Sequence, residues 1–500
     1  MSLDPRDQRI DKLEAAVDAL LKRVDVLEVE NRELQVVNAE LRVENRELRV
    51  ENAELRARLD QNSNNSSMPP SSDRPGVPRP PKKPRTGRRP GGQPGHKKSE
   101  RALLAVEDVD HVVELTPSRC GSCDGKRLRR ASGAPRRHQQ TELPQPRVEV
   151  TEYQCHAAHC LDCGALTEAE VPSGAAPVFG ERLASLVCAL MGQYRLSKRN
   201  TQRLLADVPG VELSLGMMPK LGAEMAEALA APTDEATAFL QEQDSAHADE
   251  SGWYEGKRAG RNRRAWIWVF ATSAVSVFRI SFSRGGDVAK EVLGPHFTGF
   301  LNTDRWVGYN WHDLGLRQIC WSHLTRDIQG FIDRGGTGAR IGTSLMAERN
   351  KMFGWWRGVR EQTLSREVFQ KRMGPVRRKI QLLLHEAASR AMGKTRGMAS
   401  EMLKLEQALW TFIDAEGVEP TNNFAERCIR HAAMYRKTSF GTQSASGSRF
   451  VERVLTALTT LNLQKRNVLG FLTQALRAHR TGGVPPSLLP QATATLALAA

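Results

Sequence analysis

The chain has 500 residues, enough for roughly two to four domains, and Lys and Arg outnumber Asp and Glu by 72 to 57. The formal net charge of +15 favours a polyanionic partner, with nucleic acid as the first class to consider. The longest apolar stretch, residues 266–278, is too short to span a bilayer, and the N-terminus lacks the apolar core of a secretory signal. Composition therefore argues against a membrane or secreted protein and predicts a cytoplasmic one. In that compartment the eight cysteines suit metal binding better than a disulfide scaffold.

Residues 1–62 carry a heptad repeat. Leucine recurs every seven residues from Leu13 to Leu55 at the d position, and the a positions are β-branched up to Val24 and asparagine afterwards. Leucine at d with β-branched residues or Asn at a favours a parallel two-stranded coiled coil. A single long surface helix is the alternative, which seven consecutive heptads make improbable. The segment is therefore predicted to be a leucine zipper through which the chain associates with a second copy.

Residues 63–104 form a basic linker rich in Pro and Gly. Between Ser71 and Lys98 there are nine Lys or Arg against one acid, Asp73. Such a segment is expected to be disordered and to follow a phosphate backbone, although a solvated spacer is the alternative. The side chains expected to contact DNA here are Lys82, Lys83, Arg85, Arg88 and Arg89.

Residues 105–173 contain β-prone pieces, HVVEL and VEVTEY, around two C-x-x-C pairs. Four thiolates at this spacing bind tetrahedral Zn²⁺ and close the site against water, so the predicted zinc is structural. The predicted ligands are Cys120, Cys123, Cys160 and Cys163. Nearby Cys155, His156 and His159 leave the ligand set open, and unrelated buried cysteines are the alternative.

Residues 174–233 have apolar residues at helical spacing, which predicts several short helices. They form either a helix-turn-helix module that binds DNA or a plain packing bundle. From residue 234 to 480 the pattern alternates, with the apolar runs AWIWVFAT, VSVFRIS, FTGFLNTD and RQICWSHL, and predicts an α/β sheet. The final stretch, 481–500, is predicted to be a flexible tail.

Asp249 and Asp304 each stand at the probable C-terminal end of a strand, where open α/β sheets usually place their sites. A lone Asp at such a position is more often a turn former. The choice between these interpretations comes from longer motifs. The segments HADESGW, NTDRWVGYNW, CWSHLTRDIQ and PTNNFAERCIRHAAMYRKTSFGTQSASGSRFVERVLT resemble the transposase of the IS66 family, in which a coil, a PPSSD…GGQPGH piece and C-x-x-C pairs occur in the same order.

The resemblance implies a multidomain α/β protein with an RNase H-like core and a DDE triad. Matched motif by motif, the triad is Asp249, Asp304 and Glu426, with a helical insertion at about residues 335–407. It implies two Mg²⁺ (or Mn²⁺) ions held by these carboxylates, because hard ions prefer oxygen ligands.

Further side chains are predicted to act beside the triad. The helix around Glu426 is expected to contact the DNA backbone, with a solvated helix face as the alternative. The residues concerned are Asn422, Asn423, Arg427, Arg430, Arg436 and Lys437. His247 and His323 are candidate accessory residues near the acids, and a satisfied core histidine is an equal alternative for each.

The expected function is a bacterial insertion-sequence transposase associated with the nucleoid. It would bind the ends of its element, cut a strand and join the 3′-hydroxyl to target DNA. The alternatives are a non-catalytic DNA-binding regulator and an RNase H-like nuclease such as a resolvase. The resemblance also implies small accessory proteins encoded by the same element.

Overall fold

The computed structural model describes residues 101–490, except 145, 147, 173, 174, 176 and 259, together with helical pieces at 17–18, 22–23, 31, 35–52 and 56. Most of the predicted coil, the linker up to residue 100 with its five predicted DNA contacts, and residues 491–500 lie outside the described residues. Residues 35–52 are helical, and Leu41 and Leu48 at their d positions are each 48% exposed. Self-association through this helix stays a prediction. No helix in the described ranges has both the length and the apolar character needed to cross a membrane.

The segment predicted as a zinc-binding β module contains only one short strand pair within its described residues. β1 (Ala157–His159) pairs antiparallel with β2 (Leu166–Glu168). The β-prone pieces HVVEL and VEVTEY form no strands, so this part of the prediction is wrong. Val113 and Leu115 are 76% and 89% exposed. Because there is no buried apolar face for such strands to cover, β propensity alone does not form a sheet here.

Four helices follow. They are α1 (Glu181–Gly192), α2 (Lys198–Asp207), α3 (Met217–Ala228) and α4 (Ala230–Gln241). Fully buried side chains such as Val187, Met218 and Leu240 belong to the same hydrophobic core as the large sheet. The boundary predicted between residues 233 and 234 therefore falls inside α4, within one folded unit. Helical spacing identifies each helix but does not reveal what its apolar face packs against.

The large sheet has five strands. They are β3 (Ser245–Arg258), β4 (Arg261–Ala271), β5 (Ser276–Ser281), β6 (Phe300–Thr303) and β7 (Arg317–Ile319). Their spatial order is β5-β4-β3-β6-β7, in which β3, β4 and β5 are antiparallel and β6 and β7 run parallel to β3. Helix α5 (Gly286–Leu293) connects β5 to β6. The predicted alternation of strands and helices from residue 234 is thus a mixed α/β sheet.

A helical block lies between β7 and the last part of the chain. It comprises α6 (Trp321–Asp333), α7 (Gly336–Arg360), α8 (Arg366–Arg390), α9 (Gly393–Lys404) and α10 (Thr411–Asp414). It has a second hydrophobic core, which includes the fully buried Phe331, Phe369 and Phe412. Helices α7, α8 and α9 occupy the segment that the sequence analysis assigns to an insertion.

Three helices complete the unit. They are α11 (Asn423–Ser439), α12 (Ala445–Leu463) and α13 (Val468–Thr481). Side chains of α12 bind the free edge of β5, since Thr460 Oγ1 accepts a hydrogen bond from the amide of Ser276 at 3.0 Å and Thr456 Oγ1 accepts one from Phe278 at 2.9 Å. An edge strand capped in this way cannot pair with another chain.

The residues after α13 are not a free tail as far as the structure describes them. Leu488 is fully buried, and its carbonyl accepts a hydrogen bond from Gln464 Nε2 at 2.8 Å. Glu235 of α4 binds the hydroxyl of Ser487 and the amide of Leu488. The prediction of a flexible tail from residue 481 is therefore wrong for residues up to 490, because single apolar residues among Pro and Ser give no periodic signal.

Candidate active site

The register of the sheet brings two of the predicted acids to adjacent strands. β3 and β6 pair in parallel from Ser245↔Phe300 to His247↔Asn302. Two residues further along the same register lie Asp249 in β3 and Asp304, which directly follows β6. Neighbouring strands are about 4.8 Å apart, so the two residues occupy matching positions where β3 and β6 lie side by side. Asp249 stands within a long strand and not at its end, because β3 continues as a hairpin with β4.

Hydrogen bonds fix the loop that begins at Asp304. Its carboxylate Oδ1 accepts from the amide of Trp306 at 2.7 Å. The following Arg305 pairs with Asp327 of α6 at 2.6 Å. Arg317 of β7, fully buried, donates to Thr303 Oγ1 at 3.2 Å. The residues on either side of Asp304 are thus held by α6 and β7, and the carboxylate by the amide of Trp306.

The third acid arrives on α11. Glu426 lies in the first turn of this helix, where the helix dipole favours a negative charge. Asn422, immediately before the helix, aligns it on β3, because its side-chain amide donates to the carbonyl of Ala248 at 2.7 Å and its Oδ1 lies 3.0 Å from His247 Nδ1. Its backbone amide donates to Cys320 Sγ at 3.1 Å.

Asp249 is influenced electrostatically by the other two acids. Burial raises the pKa of Asp249 well above its ordinary value, and the charges of Glu250, Asp304 and Glu426 raise it further. Like-charged carboxylates that disfavour each other's ionisation are what a bound cation would relieve. The structure thus brings the three predicted acids into one electrostatic neighbourhood.

One group of metal-binding atoms is tighter than the rest. Among the described residues, only Cys320, His323 and Glu426 bring three such atoms within 4.8 Å of one another. Nδ1 of His323 lies 3.5 Å from Oε1 of Glu426, and both atoms are buried without a hydrogen-bond partner. The Cys320 sulfur already accepts hydrogen bonds from backbone amides, including that of Asn422. His323 and Glu426 therefore have free coordinating atoms, whereas Cys320 connects two elements.

His247 is the other predicted accessory residue. Burial lowers its pKa to about 4, so the ring is neutral near neutral pH. It packs against Phe424 of α11, with ring centroids 5.3 Å apart. Its role in the structure is to bind Asn422 and position the helix that carries Glu426.

A buried glutamate that the sequence analysis missed supports the Asp304 loop. Glu250 has only 1% of its side chain exposed, and it accepts hydrogen bonds from Arg284 at 2.7 Å and from the Tyr309 hydroxyl at 2.6 Å. Burial, followed by the charge of Asp304, raises the pKa of Glu250, while both hydrogen bonds act in the opposite direction. The Arg284 guanidinium also stacks on Trp306, 3.8 Å from the ring centroid. In the sequence, the only sign of a role for Glu250 is its position directly after Asp249 in HADES.

The residues of α11 predicted to contact DNA divide into two groups. Asn423, Arg427, Arg430 and Lys437 are exposed and accessible to a ligand. Asn422 is only 1% exposed, and Arg436 donates to Ser251 Oγ at 3.2 Å and to the carbonyl of Gly252. For these two the prediction is corrected, because their polar atoms connect α11 to β3. Helical spacing predicts the side of the helix on which a residue lies. It does not predict which partner the side chain already binds.

The two cysteine pairs adopt the same turn. In each, the amide of the first cysteine donates to the carbonyl five residues later, and the amide four residues later donates back, at distances between 2.8 and 3.0 Å. Backbone amides lower the pKa of Cys120 and Cys160, which favours the metal-binding thiolate. No three of the four sulfurs lie within 4.8 Å in the described structure. Cys155, His156 and His159 are exposed beside the second pair.

Comparison with known proteins identifies the family. The model of a family described as "Transposase IS66 family" matches residues 178–449, a range that contains all three candidate acids. A family of unknown function, DUF6444, matches residues 4–102. The uncharacterized protein y4qI of Sinorhizobium fredii is 25% identical over 293 residues, or 53% of this chain and 53% of that protein, so the chain spans about half the length of this curated relative. Because the first match covers more than half of the chain, the protein belongs to the IS66 family of transposases.

Proposed function

We propose that this chain is a metal-dependent DNA strand-transfer enzyme that cuts the ends of its own insertion sequence and joins the 3′-hydroxyl to target DNA. Two observations support the proposal: the β3–β6 register puts Asp249 and Asp304 at matching positions of neighbouring strands, and the charges of Asp304 and Glu426 raise the pKa of Asp249. We further propose that the mixed five-stranded sheet and its helices form the RNase H-like core that the sequence resemblance implies.

The donor set fits two magnesium or manganese ions. All three side chains offer carboxylate oxygens, the ligands that hard divalent ions prefer, and Oε1 of Glu426 is buried without a partner. A pair of ions about 4 Å apart can be held by carboxylates that do not contact one another, so the three side chains need not lie within hydrogen-bond distance. When bound, the ions would activate the attacking water or 3′-hydroxyl and stabilise the leaving oxygen.

In this proposal the chain positions the reaction. Asp249, Asp304 and Glu426 would together hold the two ions through their carboxylate oxygens. Buried groups behind them keep the three carboxylates in place, namely Glu250 for the Asp304 loop and Asn422 for α11. The exposed cations of α11 lie on the same helix as Glu426 and are available to the phosphates that flank the cleaved bond.

The test is a cleavage assay on duplexes that carry the element's own termini, with Mg²⁺, with Mn²⁺ and without metal. Asp249→Asn, Asp304→Asn and Glu426→Gln should each abolish cutting and retain end binding. Glu291→Gln is the control, because that acid is exposed and pairs only with Arg279. If all three variants cut like the wild type, the assignment fails.

The same assay separates the two alternatives. A wild-type protein that binds the ends but never cuts under any metal condition would be a regulator. One that cuts without joining would be a nuclease or resolvase. The proposal requires metal-dependent cutting followed by joined product.

We also propose that Cys120, Cys123, Cys160 and Cys163 bind one structural Zn²⁺. The matching turns of the two pairs and the lowered thiol pKa values support this. Purified protein should contain about one zinc per chain, as a closed four-thiolate site requires. Cys160→Ser should lose the metal and Cys188→Ser, which alters a buried helical cysteine, should retain it. Equal zinc content in the two variants would contradict the assignment.

A further inference from the structure

The hairpin formed by β3 and β4 extends beyond the rest of the sheet. On one side, the last pair with β6 is at His247, and on the other, the last pair with β5 is at Trp266. Beyond these points the two strands pair with each other, ending at Lys257↔Asn262 and Arg258↔Arg261, and β3 forms one further bridge, between Glu255 and Thr442. We call residues 257–264 the basic hairpin.

The basic hairpin carries a high density of positive charge. Five of its eight residues are cations, namely Lys257, Arg258, Arg261, Arg263 and Arg264, and it contains no acid. Four of these cations are exposed, namely Lys257, Arg261, Arg263 and Arg264. None of the four forms an ion pair within the described part of the chain. A group of cations without local counter-charge attracts a polyanion.

Two of these cations rest on aromatic rings. The guanidinium of Arg263 lies 3.4 Å from the ring centroid of Phe282, and that of Arg264 lies 5.0 Å from that of Trp266. Stacking restricts a guanidinium and leaves its in-plane donors available for phosphate oxygens. It also covers apolar surface that a protein partner would need for the core of an interface. The chemistry therefore favours a phosphate backbone over a protein.

The base of the hairpin is anchored to the turn between α11 and α12. The amide of Gly256 donates to the carbonyl of Thr442, and the amide of Thr442 donates to the carbonyl of Tyr254, both at 2.9 Å. Glu255, the nearest acid, accepts a hydrogen bond from the Ser448 hydroxyl. The hairpin is thus fixed to the strand of Asp249 and to the helix of Glu426.

Strand geometry sets the distance between the hairpin and the acids. Asp249 lies five residues from Tyr254, the partner of Arg264, which corresponds to about 16 Å at roughly 3.3 Å per residue. It lies nine residues from Arg258, at most about 30 Å, because the register shifts between Tyr254 and Lys257. Successive nucleotides of a DNA strand are about 3.4 Å apart along the duplex axis. A duplex lying along β3 with its scissile phosphate at the acids would reach the hairpin about five to nine base pairs away.

We propose that the basic hairpin binds the backbone of duplex DNA about five to nine base pairs, or within one helical turn, from the phosphate that is cut. The inference rests on the proposed function and assigns to that site a second DNA contact. The contact is with phosphates, so it adds affinity and sets the position of the duplex without reading its sequence.

The test compares two variants that lose the same charge. In the hairpin variant, all five cations become glutamine. In the control variant, five exposed cations of the helical insertion become glutamine, at Lys371, Arg372, Arg378, Lys379 and Lys394. Fluorescence anisotropy would measure binding to a duplex of the element's terminal sequence over a range of salt concentrations. Each phosphate contact contributes about 0.9 to the slope of log K against log salt, so the hairpin variant should lose up to about 4.5 and the control almost none.

Duplex length gives a second readout. On a duplex that ends about two base pairs beyond the cleavage point, too short to reach even Arg264 by the strand geometry, the hairpin variant should bind like the wild type. Equal slopes for the two variants, or equal losses on long and short duplexes, would overturn the inference. So would a hairpin variant that binds DNA normally but loses binding to RNA or to a protein.

Two controls protect the interpretation. A double variant, Arg261→Gln with Arg263→Gln, should lose about 1.8 in slope, which excludes misfolding of the fivefold variant as the cause. Cleavage by the wild type tests the proposed function separately. If the wild type cuts and the slope of the hairpin variant is unchanged, only the hairpin inference fails; if the wild type never cuts but the slope falls, only the catalytic proposal fails.

Discussion

Glu250 should be far more important for stability than an exposed glutamate with the same kind of partner. Glu250→Ala removes a carboxylate that is 1% exposed and leaves the Tyr309 hydroxyl and the Arg284 guanidinium without their acceptor. Breaking a buried ion pair costs about 3–5 kcal/mol of the free energy of unfolding. Because the Arg284 side chain is 35% exposed and can be solvated after the loss of Glu250, the expected cost is near the lower limit. Glu250→Gln keeps the shape and one acceptor, so about 1–2 kcal/mol is expected.

Glu291 is the matched control. It also pairs with an arginine, Arg279, but its side chain is 59% exposed and that of its partner 45%. Exposed pairs contribute about 0–1 kcal/mol, so Glu291→Ala should change the free energy of unfolding little. Both glutamates pair with an arginine, and the two pairs differ in how deeply the glutamate is buried.

Urea unfolding followed by tryptophan fluorescence measures the difference. With an m-value of about 3 kcal/mol/M, Glu250→Ala should lower the midpoint by about 1 M and Glu291→Ala by less than about 0.3 M. Because Glu250 holds the loop that carries Asp304, its replacement should also reduce cleavage at urea-free conditions. Equal midpoint shifts for the two alanine variants would refute the reasoning that burial determines the strength of this pair.

Three further outcomes are expected. Burial raises the pKa of Glu452 above its usual 4.5, so wild-type stability should fall as pH rises through that raised pKa; Glu452→Gln should remove this part of the pH dependence, as seen in urea midpoints across the acid range. Leu488→Ala should lower the free energy of unfolding by about 2–5 kcal/mol in the same assay, because Leu488 is fully buried. Val484→Ala, at a site 92% exposed, should lower it little; equal effects would mean that the residues after α13 do not pack on the core. Gly441→Ala should destabilise by about 1–3 kcal/mol, since its φ is +96° and a Cβ would lie 2.3 Å from the Tyr254 carbonyl; an unchanged thermal midpoint would contradict this close approach.

The sequence predicts the elements of the large sheet well because they are strongly apolar. The runs AWIWVFAT and VSVFRIS became β4 and β5, and FTGFLNTD and RQICWSHL contain β6 and β7. The extension of β3 to Arg258 was not predicted, because SGWYEGKR has few apolar residues and its strand conformation depends on pairing with β4. Pairing across a sheet is a long-range property that a local pattern does not contain.

The candidate site divides in the same way. Asp249, Asp304 and Glu426 were selected from motifs, and no periodicity would have distinguished them from the other acids. The buried groups that position them, Glu250 and Asn422, were missed or given another role, because burial of a polar residue follows from packing and its partners are far away in sequence. Predictions about polar residues were therefore weakest where the chain satisfies them internally.

The helical block between Asp304 and Glu426 leaves the sheet and returns to it at almost one point. The amide of Trp321, at its start, donates to the carbonyl of Pro420, at its end, at 2.9 Å. Since departure and return are side by side and the block has its own core, a change in the length of α7, α8 or α9 would leave both junctions with the sheet in place. The 121 residues between Asp304 and Glu426 thus include a block with its own core, whose first helix still contacts both sides of the site through Asp327 and His323.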